Sequence, residues 1–371
     1  MLTWVEIDQT ALQKNIAVFR KLIGDNVQFM PVIKANAYGH GFLEIAKLTV
    51  KNKAVDRLCV VSLEEALILI QNKLTKKPIL ILDIFDLDIK KISVAAQYNV
   101  AFPVFTLEQA KVLNKVGERA GKKIKVHVKI DTGTSRVGFL PMDVVPFVKK
   151  IKHFPHLKLE GSWSHFSSSE SSPSVTKEQW RCFNEVNTKL RQARITIPFR
   201  HISCSAATIL YPEMRADGVR VGLACYGLHP APITKKYIAL TPVLSWRTKI
   251  IQVKTISKDT PVGYGGSFIT KRPTRLAIIP IGYADGYDRS FSNRAFVMVN
   301  GRRCPVRGRI CMNLTMIDVT GVKGTKAGDT VTLIGREGSK EITADELGGY
   351  AGTINYEIVT RIAPHIKRIV V

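Results

Sequence analysis

The chain has 371 residues, 45% hydrophobic and 23% charged, and its 55 Lys and Arg against 30 Asp and Glu leave a formal charge of +25. That composition excludes intrinsic disorder and allows a substantial buried core. The basic residues fall as scattered pairs without a zinc-finger, RRM or helix-turn-helix spacing, which argues against a nucleic-acid partner, and no apolar run approaches the ~20 residues that span a bilayer.

The opening MLTWVEIDQT shows no basic segment followed by an apolar core, so no secretory signal is expected. The six cysteines, at 59, 182, 204, 225, 304 and 311, stand singly in mostly apolar surroundings, which suits reduced thiols in a cytoplasmic protein. No metal site is expected. From residue 28 onward, eight short apolar runs alternate with amphipathic helical stretches: FMPVI, RLCVV, PILIL, VAFPV, IKVHVKI, LKLEGSW, FRHIS and VRVGLA. Helices are predicted over 62–72 and 106–120, each opened by a Ser or Thr cap and an acidic first turn, and over 176–192.

Eight βα repeats in about 200 residues predict a TIM-like (β/α)8 barrel over residues 1–239, with its chemistry at the C-terminal ends of the strands. After residue 239 the pattern changes to strand-like runs divided by Gly, Pro and Asp: VLSWRTKIIQVKTI, TRLAIIPI, AFVMVNG, RRCPVRG and DTVTLIG. A smaller, mainly β domain over 240–371 follows.

Lys34 is the first residue that asks for chemistry. It ends the apolar FMPVI run and is followed by the small residues of KANAYGHG, so it is expected to point into a site rather than to join a charged face. An amine at a barrel mouth can act as a general base or as the partner of an aldehyde cofactor. The IDTGTS segment, residues 130–135, matches the aspartic-protease signature, but that chemistry needs a second such carboxylate, and no second copy occurs in the chain.

Nine segments, VIKANAYGHG, KIDTGTSRVGF, SHFSSSE, HISCSAA, RVGLACYGL, GYGGSF, IGYADGYDR, GRICMN and GTINYEIVTR, occur in the order of the motifs of alanine racemases, and the resemblance covers essentially the whole chain. It implies a pyridoxal 5'-phosphate (PLP) enzyme that interconverts L- and D-alanine as a homodimer with active sites shared between subunits, supplying D-alanine for peptidoglycan. Lys34 stands at the Schiff-base lysine, which also serves as one base. Tyr264 matches the second base, given across the dimer interface. Arg136 matches the residue that assists this tyrosine and orients the substrate carboxylate, and Arg220 the one facing the cofactor's ring nitrogen.

The same resemblance assigns the cofactor's phosphate to Tyr38, Ser205, Gly222, Leu223 and Tyr356, and its ring to His165. Met312, Tyr283 and Lys129 match substrate-site residues, Lys129 at a lysine that is carbamylated in some members. Glu170, His201, Arg289 and Arg309 match the substrate corridor. The chain departs from the family at Cys204 (usually Asn), Asn313 (usually Asp) and Leu314, and RIAPHIKR lacks the second arginine of the common ending. A serine or broad-range racemase of this fold is therefore the alternative. An amino-acid decarboxylase is disfavoured by Arg220, since that group pairs the ring nitrogen with an acid, and a stand-alone PLP-binding barrel by the second domain.

Overall fold

A computed structural model describes residues 1–371, the side chain of Ile84 excepted. Its strands begin with β1 (Thr3–Ile7), β2 (Gln28–Pro31), β3 (Leu58–Ser62), β4 (Ile79–Ile84), β5 (Val100–Val104), β6 (Ile124–Lys129), β7 (Leu157–Trp163), β8 (Phe199–His201) and β9 (Gly218–Val221). Strands β2 to β9 form one parallel sheet in the order β2-β9-β8-β7-β6-β5-β4-β3. A parallel bridge between Val32 and Cys59 joins its two outer members, so the sheet closes into a barrel. These are the eight apolar runs of the sequence. Strand β5 is buried at every residue, as expected of a parallel strand covered on both faces, whereas β6 and the start of β7 alternate apolar with polar residues.

Several helices start where side chains satisfy their first amides. Ser62 Oγ accepts from the Glu65 amide at 3.2 Å to open Leu63–Gln71. Thr106 and Gln109 form a reciprocal capping box for Leu107–Ala120. The helix predicted over 176–192 begins earlier, as Pro173–Gln192, because Ser172 caps it and Pro173 already has the φ of a first turn.

The chain divides into two compact units, one of Gln13–Lys34 and Ile45–Thr241, the other of Met1–Leu12, Ala35–Glu44 and Pro242–Val371. Residues 1–12 and 35–44, which a 1–239 boundary counts with the barrel, thus group with the C-terminal part. Strand β1 alternates, with Val5 and Ile7 fully buried and Glu6 half-buried, as expected of a strand with one dry face. It pairs antiparallel with β10 (Leu244–Lys249) and parallel with Lys367–Val370.

That second unit holds a seven-stranded sheet, a three-stranded sheet of Gln252–Ile256, Thr274–Ile279 and Thr315–Asp318, and a two-stranded hairpin of Pro261–Val262 and Phe268–Ile269. The run VLSWRTKIIQVKTI supplies two strands to two different sheets, separated at Ile250 and Ile251. Two short helices, Ala344–Ala351 and Asn355–Thr360, complete the unit.

Candidate active site

Three adjacent barrel strands end on register partners: Lys129 of β6 opposite Trp163 of β7, and Trp163 opposite His201 of β8. Lys129 Nζ lies 4.2 Å from the Trp163 ring centroid, and the His201 ring stacks on the same indole at 5.6 Å and 9°. Arg220, one residue before the end of β9, places its guanidinium carbon 4.8 Å from that centroid. The cluster thus sits at the strand ends where barrel chemistry belongs.

Arg220 is 3% exposed and held from several sides. Its Nη2 donates to Ser164 O at 2.8 Å, Ile202 O at 3.0 Å and His165 Nδ1 at 3.1 Å, while Nη1 donates to His201 Nδ1 at 2.6 Å. Its Nε has no hydrogen-bond partner among the described residues. Burial lowers its pKa to about 10, so it stays charged at neutral pH.

The direction of the next hydrogen bonds follows from that charge. A guanidinium only donates, so His201 accepts at Nδ1 and, held neutral by burial and by Arg220, carries its proton on Nε2. His201 Nε2 then donates to His127 Nδ1 at 2.9 Å, and His127 Nε2 donates to Glu160 Oε2 at 2.9 Å. Arg57 donates to the same carboxylate oxygen at 2.8 Å. Burial pushes His127 down to about 4, overcoming the Glu160 carboxylate that opposes it. His201, expected along a substrate corridor, is fully buried and accepts from the Arg220 guanidinium.

Lys34 follows β2 and is half-buried. Burial lowers its pKa; Asp83 opposes that, Arg136 adds to it, Glu65 opposes and Arg220 adds. The next four residues, Ala35, Asn36, Ala37 and Tyr38, run at φ +53°, +55°, +51° and +54°, a left-handed turn that L side chains enter at a cost of about 1–2 kcal/mol per residue. Small side chains after Lys34 therefore meet a backbone requirement. The turn is held by the Gly41 amide on Asn36 O at 3.0 Å, by the Phe42 amide on Asn36 Oδ1 at 2.8 Å, and by Arg368, whose Nε and Nη2 donate to Gly39 O at 3.1 and 2.9 Å. At Gly39 (φ +83°) a Cβ would lie 1.9 Å from Val359 O.

Lys129, 2% exposed, forms an ion pair with Asp83 of β4. Arg136 is exposed on the loop after β6, which is organised by the Asp131 carboxylate. Asp131 Oδ1 accepts from the amides of Gly133, Thr134 and Ser135 at 3.0, 2.8 and 3.2 Å, and Oδ2 from that of Arg136 at 3.0 Å. Burial tends to raise its pKa, and these amides more than offset it. The protease-like IDTGTS is thus a loop brace. The Ser205 hydroxyl accepts from the Gly222 amide at 3.0 Å, with Leu223 next in chain opening a 3-10 turn. Beside them Cys204 contacts Ser169 Oγ at 3.3 Å, and Ser169 Oγ donates to the exposed Glu170 at 3.1 Å.

On the other unit, Tyr264 stands in the turn of the two-stranded hairpin and is 72% exposed. Gly263, Gly265 and Gly266 flank it at φ +72°, +69° and +52°, and a Cβ on Gly263 would lie 2.8 Å from Met316 Cε. The Arg309 guanidinium packs so close that a Cβ on Gly265 would be 3.1 Å from its Nη1. The segments that carry Tyr283 and Met312 are joined through backbone: the Tyr283 amide donates to Cys311 O at 3.1 Å and the Ala284 amide to Met312 O at 3.0 Å. Arg289 opens the turn Arg289–Phe291 behind an Asp288 cap. The rings of Tyr38 and Tyr356 lie 6.2 Å apart, tilted by 53°.

The sequence-based reading did not single out Asp83, His127, Glu160 or Trp163. Asp83 carried the same signal as Lys34, a charge closing the apolar run ILIL. The other three had none, because their partners come from other strands.

The family model for the alanine racemase N-terminal domain matches residues 7–230, and that for the alanine racemase C-terminal domain matches residues 243–370. The chain is 40% identical to the alanine racemase of Halothermothrix orenii over 367 residues, covering 99% of this chain and 96% of that protein. The solved alanine racemase of Clostridium difficile 630 superposes with a TM-score of 0.93 at 33% identity, covering 100% of this chain and 96% of that one. A histidine racemase from Leuconostoc mesenteroides superposes at 0.88 with 27% identity, covering 100% and 98%, so the fold also serves a racemase of another amino acid. With both family models matched in order across nearly its whole length, the chain belongs to the alanine racemases, isomerases that invert an amino-acid stereocentre.

Proposed function

We propose that the chain interconverts L- and D-alanine with PLP as cofactor, Lys34 and Tyr264 acting as bases on opposite faces of the substrate's Cα, in a homodimer whose active sites are shared. The observation that carries this reading is the pairing of Lys34, an amine with lowered proton affinity, with an Arg220 whose guanidinium is locked by four acceptors and keeps Nε for a ligand. That donor set fits the cofactor. Lys34 would hold its aldehyde, Arg220 its ring nitrogen and His165 its ring. Ser205, Gly222 and Leu223, with Tyr38 and Tyr356, would hold its phosphate. When bound, PLP supplies an electron sink that makes the Cα proton removable.

The residues supply the rest. Lys34 Nζ takes or returns a proton on one face, and the Tyr264 hydroxyl does so on the other. Arg136 binds the substrate carboxylate. Arg220 would donate to the ring nitrogen without surrendering its own proton, and so would favour proton return over bond cleavage to other products. The exposure of Tyr264 on a glycine turn supports its use by a partner subunit's site. D-Alanine for peptidoglycan is the role this activity would serve.

Reduction of the purified protein with borohydride, followed by peptide mapping and a chiral assay of L-alanine turnover, tests the reading. Cofactor fixed on Lys34 together with D-alanine formation is expected. A protein that binds no PLP and stays inactive after its addition would overturn it. Preferential turnover of serine would favour the broad-range alternative.

A further inference from the structure

Among the strand-end groups around Lys34, four are cations: Lys34, Lys129, Arg136 and Arg220. The carboxylate set among them is Asp83, which none of the nine family segments contains. Its ion pair with Lys129 spans β4 and β6. The Lys129 ammonium lies over the Trp163 ring at 4.2 Å, and the same ring carries the Arg220 guanidinium at 4.8 Å and the stacked His201 at 5.6 Å. One carboxylate thus anchors one end of a packed series that ends at Arg220. Glu65, the other carboxylate within reach of Lys34, also accepts the Val61 amide at 2.8 Å.

We infer that Asp83 is a positioning residue for this site: it is the resident counter-ion that keeps Lys129 an ammonium on the face of Trp163, and through that ring it fixes Arg220 opposite Lys34. The inference rests on the proposed roles of Lys34 and Arg220. Burial brings Lys129 down to about 8, with Asp83 opposing the fall and Arg136 and Arg220 adding to it. Asp83 also opposes the lowering at Lys34 and Arg220. Without it, Lys129 would face Arg136 and Arg220 unpaired and would shed its proton.

A neutral buried amine has a reaction open to it that an ammonium lacks. Its lone pair attacks the carbon of CO2, the N–C bond forms as one C=O π pair moves onto oxygen, and the nitrogen releases a proton. The product is a carbamate, an anion that restores the lost negative charge. Asp83 makes this uptake unnecessary and, by holding the proton on Lys129, suppresses it.

The test uses the full-length protein in 13C-bicarbonate, read by carbon NMR and mapped to Lys129, together with the pH profile of racemisation. The protein as it stands should show no carbamate. Asp83→Asn should gain a Lys129 carbamate that disappears in CO2-free buffer, and in that buffer the limb titrating the cluster's lysines should move to lower pH by about one unit. Asp83→Glu should restore both behaviours. A carbamate in the unaltered protein, or an Asp83→Asn variant with neither carbamate nor shifted profile, would overturn the inference. If Asp83→Asn does not fold, the unaltered protein and Asp83→Glu still decide it, since carbamate in both refutes it and absence from both supports it. The carbon signal does not depend on cofactor loading, so failure of the PLP reading would show separately, as no cofactor on Lys34.

Discussion

In the barrel unit Arg220, Lys129, His201 and His127 are exposed by 3%, 2%, 0% and 0%, whereas in the other unit Tyr264 is exposed by 72% and Met312 by 56%. The two units fix their chemistry by different means. In the barrel, side chains immobilise one another through donors and acceptors that burial makes costly to leave unpaired. On the hairpin, Tyr264 has no such surroundings, and its direction is set by backbone, by three glycines in the left-handed region. A buried group is held by the side chains around it, while an exposed one is held by its own backbone.

The sharpest break of this contrast is Lys34→Ala, which should lower racemisation by more than about a thousandfold and abolish borohydride-fixed cofactor together. Activity retained without fixation would remove Lys34 from the mechanism. Tyr264→Phe should cost roughly 10²–10⁴-fold in rate while leaving the melting transition unchanged, because the residue touches little of its own chain. Its loss should fall on one face: deuterium exchange at Cα should survive with one enantiomer and fail with the other. Equal loss with both would count against two bases.

Glu160→Gln tests the buried side. Removing the charge from the Arg57, His127 and Glu160 group should destabilise the fold by about 3 kcal/mol, measured by urea unfolding at neutral pH. The pH dependence follows with its sign. His127 is neutral in the fold with its pKa depressed from 6.5 to about 4, so the unfolded chain binds the proton first and stability declines as pH falls through that window. The group contacts hold Glu160 well below the usual carboxylate range, although burial works the other way. Its stabilisation is present above the ordinary carboxylate pKa and is also lost toward acid. The unaltered protein should weaken below about pH 6.5, and Glu160→Gln should show a shallower slope at the acid end. The smallest effect is expected from Gly265→Ala, about 1 kcal/mol from its positive φ, with a modest loss of activity as Arg309 shifts.

Much of this was legible in sequence where the signal is local. Eight parallel strands announced themselves as short β-rich runs alternating with amphipathic helical stretches. Lys34 stood out as a charge at the end of such a run. The glycines around Tyr264 marked a turn. The burial of His201 was not legible, because a histidine after a strand looks the same in sequence whether it lines an opening or supports an arginine. Asp83 was visible and passed over.

The sequence by itself determined the order of strands and helices and the family, and it singled out Lys34, Tyr264, Arg136 and Arg220 as candidates, since periodicity, capping and motif order are properties of neighbouring residues. Only the tertiary structure decided that β1 pairs with a strand in which Thr248, the partner of Thr3, lies 245 residues away, that His127 and Glu160 stand behind Arg220, and that Asp83 meets Lys129 past the strand between them. Those pairings depend on strand register and closure, which place residues distant in the chain at one height around one ring.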